Sequence, residues 1–287
     1  MKFICDSAAF SKACMNVQRT VSSKSTIPSI EGILIEALSD SLKLTGYDLE
    51  VGSQTFIPAE VQENGSVILN ARNLCDILRM VPDDTVSIES DERNICKIIS
   101  GDVQYSIIGT SADEYPDVPE VSGGFPVVIN QALLKDMIRK TIFSVSTSER
   151  NPVHCGVRFE IGEGKIVLVA VDGARLAVRR EDIDYTGEDV AFVVPAKTLG
   201  EVMKLSDNDE GFCSISVGRR HICFEIGEYR IISRLLEGNF IDYKAAIPIS
   251  ATTKITAPTR RVIECVERTA LIITDRSSPV RCTIENG

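Results

Sequence analysis

Pro28, Gly32 and Asp48 return as Pro152, Gly156 and Asp172, each 124 residues further along the chain. A constant offset across a turn and two strand-like runs makes the chain a succession of like units, and this constrains the fold more than any local signal. A chain of 287 residues has room for two or three such units, each burying a core of its own.

The first copy runs from Ile27-Pro28 through Gly32-Ile33-Leu34-Ile35-Glu36 to Leu42-Lys43-Leu44-Thr45-Gly46-Tyr47-Asp48. The second runs from Asn151-Pro152 through Gly156-Val157-Arg158-Phe159-Glu160 to Ile166-Val167-Leu168-Val169-Ala170-Val171-Asp172. Upstream lie helical patterns ending in Val17-Gln18-Arg19-Thr20 and Ile138-Arg139-Lys140-Thr141, and a third such tetrad stands at Val266-Glu267-Arg268-Thr269. Leu69-Asn70-Ala71-Arg72 and Val194-Pro195-Ala196-Lys197 each open a further helix. Apolar residues at i, i+3, i+4 and i+7 predict helices over 7–21, 71–80, 131–142, 196–205 and 257–270, with Asn130 as an N-cap.

Alternation and β-branched residues predict strands at Val86 to Glu89, Cys96 to Ile99, Tyr105 to Ile108, Ile215 to Val217 and Arg230 to Arg234. Pro- and Gly-rich sequence marks boundaries at Pro116 to Phe125 and near Pro248 to Ala251, giving units 1–122 and 123–249. A third copy begins at about 250 and stops at Asn286-Gly287, a hairpin-turn dipeptide. The expectation is an incomplete third unit, poorly ordered after about Ala251, beside two complete units that fold independently. On that expectation the chain is predominantly a monomer at micromolar concentration.

The net charge of −10 argues against a nucleic-acid partner until its distribution is considered. The five predicted helices hold twelve Lys or Arg against five acidic residues, so they carry +7 and the remainder −17. Each helix alone reads as a solvated amphipathic face. Repeated in every unit, the pattern suits a positive lining within an acidic body, attractive to phosphate on one surface only.

Nine scattered cysteines without a Cys-x-x-Cys pair read as reduced, mostly buried thiols of a cytoplasmic protein. The longest apolar run, Ile166 to Val171, is too short to span a bilayer. There is no Gly-x-x-x-x-Gly-Lys-Ser/Thr loop, Gly-x-Ser-x-Gly elbow or His-Glu-x-x-His motif. The two histidines, His154 and His221, lie in strand-like runs that suit neither a metal site nor acid–base chemistry. Asp48 and Asp172 could be imagined as paired carboxylates of a hydrolase, but their equivalent places after a strand suit structural turns. A repeated protein-interaction scaffold unrelated to DNA is the other alternative, distinguished by an absence of salt-dependent DNA retention.

Five segments carry a resemblance, in order along the whole chain: Met1-Lys2-Phe3, Leu44-Thr45-Gly46-Tyr47-Asp48-Leu49-Glu50, Asp113-Glu114-Tyr115-Pro116, Val171-Asp172-Gly173-Ala174-Arg175-Leu176-Ala177 and Glu237-Gly238-Asn239-Phe240-Ile241-Asp242-Tyr243. Together with the repeat length, the chain resembles the bacterial DNA sliding clamps, the beta subunits of DNA polymerase III. The resemblance implies an α+β fold of tandem DNA-clamp domains, each with two helices packed on antiparallel sheets, and a head-to-tail homodimer closing a ring when the third domain is complete. It implies a processivity factor that encircles duplex DNA without base readout and tethers replicative and repair polymerases, with no catalytic residue, cofactor or metal.

Residue by residue, the resemblance implies DNA contacts at Lys24, Arg72, Arg79, Lys197 and Lys204, and in the loop from Ser148 through Pro152 to Val153. That loop has Asn151-Pro152-Val153 where some members carry aromatics. It also implies a pocket for the short linear motifs of polymerases and clamp-loader subunits, formed by His154, Val171, Gly173, Ala174, Arg175, Leu176, Ile241, Ala245 and Ala246. His154 and Ala245 stand where the family usually has Leu and Arg, and the third-domain wall of the pocket is expected to lie beyond this chain.

Overall fold

Four strands run directly into helices, and at three of these junctions the last strand residue caps the helix, while Pro195 at the fourth makes no side-chain bond. The side chain of Asp6 accepts from the Ala9 N–H at 2.7 Å, Asn70 from Asn73 at 3.1 Å and Asn130 from Leu133 at 3.0 Å. Each satisfies a donor that the first helical turn leaves without a partner. The computed structural model describes residues 1–121, 126–148, 150–248, 250–251, 253–273 and 279–283.

The first repeat runs β1 (Lys2–Asp6), α1 (Ser7–Val17), β2 (Gly32–Ala37), β3 (Ser41–Tyr47), β4 (Val51–Pro58), β5 (Glu60–Glu63), β6 (Gly65–Asn70), α2 (Ala71–Leu78), β7 (Thr85–Ser90), β8 (Ile95–Ser100) and β9 (Val103–Ile108). The second runs β10 (Val127–Asn130), α3 (Gln131–Arg139), β11 (Gly156–Gly162), β12 (Lys165–Val171), β13 (Leu176–Asp182), β14 (Val190–Pro195), α4 (Ala196–Leu205), β15 (Phe212–Val217), β16 (His221–Ile226) and β17 (Tyr229–Arg234). Apart from β5, the order is the same. All strand pairings are antiparallel.

The recurring landmarks have physical causes. Pro28 and Pro152 each open a 3₁₀ turn, where a missing N–H costs nothing. Gly32 and Gly156 lie where two strands approach so closely that a Cβ would sit 2.9 Å from the Leu69 carbonyl oxygen in one case and 2.4 Å from that of Val194 in the other. Only glycine fits there. The tetrad threonines are fully buried helix stops: Thr20 donates to the carbonyls of Val17 and Gly46, and Thr141 to Met137 and Ile138. These bonds end α1 four residues before the predicted limit of 21, in a 3₁₀ turn over Gln18–Thr20.

Each repeat encloses its own apolar core, the first around Phe3, Phe10, Leu44 and Leu74, the second around Phe159, Leu168, Leu199 and Phe224. Cys5, Cys14, Cys75, Cys96, Cys213 and Cys223 are buried, as the sequence reading expected, whereas Cys265 and Cys282 are exposed. Loss of hydration pushes the Cys5 thiol up to about 12, with Asp6 adding to the shift, and burial pushes Cys213 to about 12 and Cys75 to about 11. Thiolate, the reactive form, is therefore negligible inside both cores at neutral pH. In the native protein at pH 8, a maleimide should label Cys265 and Cys282 within minutes and leave the six core cysteines unmodified until denaturant is added. Rapid native labelling of Cys14 or Cys213, read by peptide mass, would contradict this packing.

The two repeats are spliced. A five-stranded sheet, β5-β1-β7-β8-β9, belongs to the first, and a four-stranded sheet, β13-β12-β11-β14, to the second. The third sheet has eight strands in the order β10-β15-β16-β17-β4-β3-β2-β6, with β17 of the second repeat paired to β4 of the first. Val51 of β4 packs in the second repeat's core, and Asn16 of α1 donates to the Tyr229 hydroxyl of β17 at 2.8 Å. The two repeats are thus joined through backbone pairing, and residues Met1–Phe240 form one compact unit.

Ile241–Gly287 form a second unit, with helices α5 (Tyr243–Ala246) and α6 (Thr259–Ala270). None of the residues of α6 is buried, and Val262, Ile263 and Val266 on its apolar stripe are exposed. The Thr269 hydroxyl donates to the Cys265 carbonyl, so the third tetrad repeats the helix-end bond of Thr141. The boundary segment is described only to residue 121, and Ile284 and Asn286-Gly287 lie outside the described residues. Among the described residues, no helix is long and apolar enough to cross a membrane.

Candidate nucleic-acid interface and partner pocket

The residues expected to meet DNA in the first repeat converge. Arg72 on α2 and Arg79 at its C-cap, with Ser22 and Ser23 after the first helix, line one cavity of about 640 Å³. Lys24 follows directly, its carbonyl accepting from the Ser22 hydroxyl at 3.1 Å. The cavity is polar because α1 and α2 point their apolar stripes, Phe10, Ala13, Cys14 and Val17 on one and Leu74, Cys75 and Leu78 on the other, into the core beneath.

Acidic neighbours sort the basic side chains. Asp76 accepts an ion pair from Arg79 at 2.9 Å and a long one from Arg72 at 3.9 Å. Arg139 and Lys140 share Asp136 at 2.8 and 2.7 Å, and their hydrogen bonds hold its carboxyl below the usual range. Lys204 pairs with Glu201 at 2.8 Å. These exposed one-turn pairs are weak and leave most of each cation's field intact. Lys12, Arg19 and Lys24 are exposed and have no acidic partner among the described residues. Lys12 and Arg19 lie outside the expected contacts, and their lack of a carboxylate at i±3 or i±4 is the signal in the sequence that sets them apart.

Lys197 differs from the others, because it reaches across the splice to pair with Asp48, whose side chain is only 8% exposed. Asp48 also accepts from the backbone N–H groups of Glu50 and Val51 at 3.0 and 2.7 Å, closing the β3–β4 turn. Its repeat partner Asp172 instead pairs with Arg175 at 3.0 Å in the β12–β13 turn. Each aspartate is engaged in its own hairpin, in keeping with the turn reading. In the loop before β11, Ser148 and Pro152 are exposed, while Val153 is 6% exposed and presents little surface.

The residues expected to hold a partner peptide fall into three groups. Val171 and the run Gly173 to Leu176 belong to the β12–β13 hairpin, with Val171 paired to Leu176 and Gly173 at φ +52° turning the chain. His154 lies on the 3₁₀ turn before β11, the strand beside β12, with its ring edge-on to Phe240 at 5.5 Å. The Arg158 guanidinium lies over that same Phe240 ring at 5.6 Å, anchored by Glu160 at 2.8 Å. Phe240 stands in the last of the five resembling segments, 86 positions from His154, a separation at which sequence spacing carries no sign of their contact. Ile241, Ala245 and Ala246 belong to the second unit, Ala245 and Ala246 on α5, and all three are exposed.

Comparison with known proteins covers both repeats. Residues 1–119 match the family model of the DNA polymerase III beta subunit N-terminal domain, and residues 128–242 match that of its central domain. The Beta sliding clamp of Bacillus subtilis is 32% identical over 282 residues, 95% of this chain and 74% of that protein. The Beta sliding clamp of Halalkalibacterium halodurans is 33% identical over 283 residues, again 95% and 74%. The crystal structure of the Bacillus subtilis DNA polymerase sliding clamp superposes with a TM-score of 0.93 at 31% identity, over 96% of this chain and 75% of that one. A Pseudomonas aeruginosa sliding clamp bound to griselimycin superposes with a TM-score of 0.90 at 27% identity, over 94% of this chain and 74% of that one.

Proposed function

The chain belongs to the family of bacterial DNA polymerase III beta subunits, the sliding clamps, and from that premise we propose that it is a processivity factor that keeps a polymerase on duplex DNA by enclosure. The observation that carries the mechanism is the set of exposed cations on the helical surface of the first repeat, Lys12, Arg19, Lys24 and Arg72, against a net charge of −10 overall. Phosphate contacts from flexible cations position a duplex without reading it, so the protein can translate along the helix. We assign direct contact to Lys24, Arg72, Arg79, Lys204, Ser148 and Pro152, and a junction role beside its DNA role to Lys197. No residue is assigned a catalytic role.

The same reading makes residues 1–122 and 123–249 two clamp domains, with a third starting at 250, in a cytoplasmic protein. A second copy is the third partner, beside DNA and polymerase. Edge strand β9 supports this, because Ile108 at its end is 82% exposed and a bare edge with an apolar tip invites strand pairing.

Short linear motifs of polymerases and clamp-loader subunits are proposed to bind at the β12–β13 hairpin. Val171 and Leu176 supply an apolar floor and Arg175 a polar edge, the combination that anchors and orients a hydrophobic peptide. A peptide with such a motif should shift the NMR signals of Val171, Arg175 and Leu176, and Arg175→Ala should weaken it by about tenfold, the effect of about 1.4 kcal/mol. Unchanged signals at all three residues under saturating peptide would remove the hairpin from the binding site.

A further inference from the structure

We propose that the outer face of the spliced sheet is a second docking surface, for an extended protein segment that alternates basic side chains with apolar anchors. On β4, Val51, Ser53, Thr55 and Ile57 point toward the cores, and Gln54 and Phe56 point away from them. Phe56 is 43% exposed and Leu38, in the β2–β3 turn, 40%. Two cavities, of about 580 and 650 Å³, adjoin on this face and share Phe56 and Arg230 as a common wall. One is roofed by the connector that includes Asp117; the other opens at the β16–β17 turn, beside Glu228.

Charge selects the occupant. Seven carboxylates line the two cavities against two cations. Lys43 pairs with Glu36 at 2.9 Å and Arg230 with Glu225 at 3.3 Å. Five carboxylates therefore have no cation among the described residues, and they surround an exposed aromatic ring. Such a field repels nucleic acid and favours a basic partner. A further group is short of a partner: Thr45 is 1% exposed, lines the same cavity, and its hydroxyl has no hydrogen bond among the described residues. A polar group brought by a bound segment would satisfy it, and burial of Phe56 and Leu38 would supply the apolar contribution. An extended segment suits a shallow groove along strands, where alternate side chains face the sheet and the solvent.

The test uses the full chain and two labelled nonamers, one alternating lysine with leucine and one of lysine alone, titrated at 0.15 M salt. The alternating peptide is expected to bind about tenfold or more tightly than oligolysine and to shift the methyl signals of Leu38 and Ile232. Phe56→Ser and Asp117→Lys should each weaken it by about tenfold with an unchanged melting temperature, since both residues are exposed. Equal affinity for the two nonamers, or full affinity retained by Phe56→Ser, would overturn the proposal by reducing the surface to diffuse acidic attraction. A duplex oligonucleotide shifting the same methyl signals would overturn the assignment of a protein partner.

Discussion

Ile232→Pro should produce the largest loss of stability of any single substitution in β17, and it should destabilise both repeats together. β17 lies between β16 and β4, and the Arg234 N–H donates to the Glu50 carbonyl at 2.9 Å on the β4 side. Strand alternation puts the Ile232 N–H on that side too, opposite Gly52. Proline there removes a donor from an interior ladder and adds a ring where the neighbouring strand lies 4.8 Å or so away, a cost of about 3 kcal/mol or more. Because Val51 of β4 packs in the second core, loosening β4 exposes apolar surface on both sides of the splice. Urea unfolding followed at Leu44 and Leu168 should show one shared transition in the parent chain, shifted in common by the substitution. Two separate transitions, with Leu44 unaffected, would show that the splice does not couple the repeats.

Reversing Lys24 and Arg72 to glutamate should cut duplex DNA retention more than any change on the second repeat's α4. Lys24 has no acidic partner among the described residues, and Arg72 has only the 3.9 Å contact with Asp76. Lys197 and Lys204 are each paired more closely. Removing two phosphate contacts lowers the slope of log affinity against log salt by about 1.8, and reversal adds repulsion. The loss should be the same on duplexes of unrelated sequence, because phosphate contacts carry no base information. Retention that is equal for the parent and the double variant across a salt titration would exclude this surface from the DNA path.

What the sequence made legible was local or repeated. The helix at Ala71 to Leu78 shows in the pattern that Leu69-Asn70-Ala71-Arg72 opens, and strand β12 as a β-branched run ending at the turn residue Asp172. The early end of α1 was not legible, since it depends on Thr20 reaching the Gly46 carbonyl from another element. Lys197 looked like one more lining cation because its partner Asp48 lies 149 positions away. The β4–β17 pairing was hidden for a similar reason: alternation gives a strand two faces and does not name its neighbour. Local free energies leave traces in neighbouring residues, whereas long-range pairings are settled by topology.

That pairing has a consequence for assembly. β4 is the third sheet strand of its repeat counted from the 3₁₀ turn's end, β2, and β17 is the last strand of the next repeat; their counterparts in the other repeat are β13 and β9. Among the described residues, β13 and β9 are both sheet edges. The chain thus holds one joined pair of unlike edges and displays one unmatched edge of each kind, a socket at β13 and a plug at β9. Units that meet plug to socket form heterologous contacts, which either propagate into an open filament or return upon themselves as a cycle. The rotation built into each junction decides between those two fates.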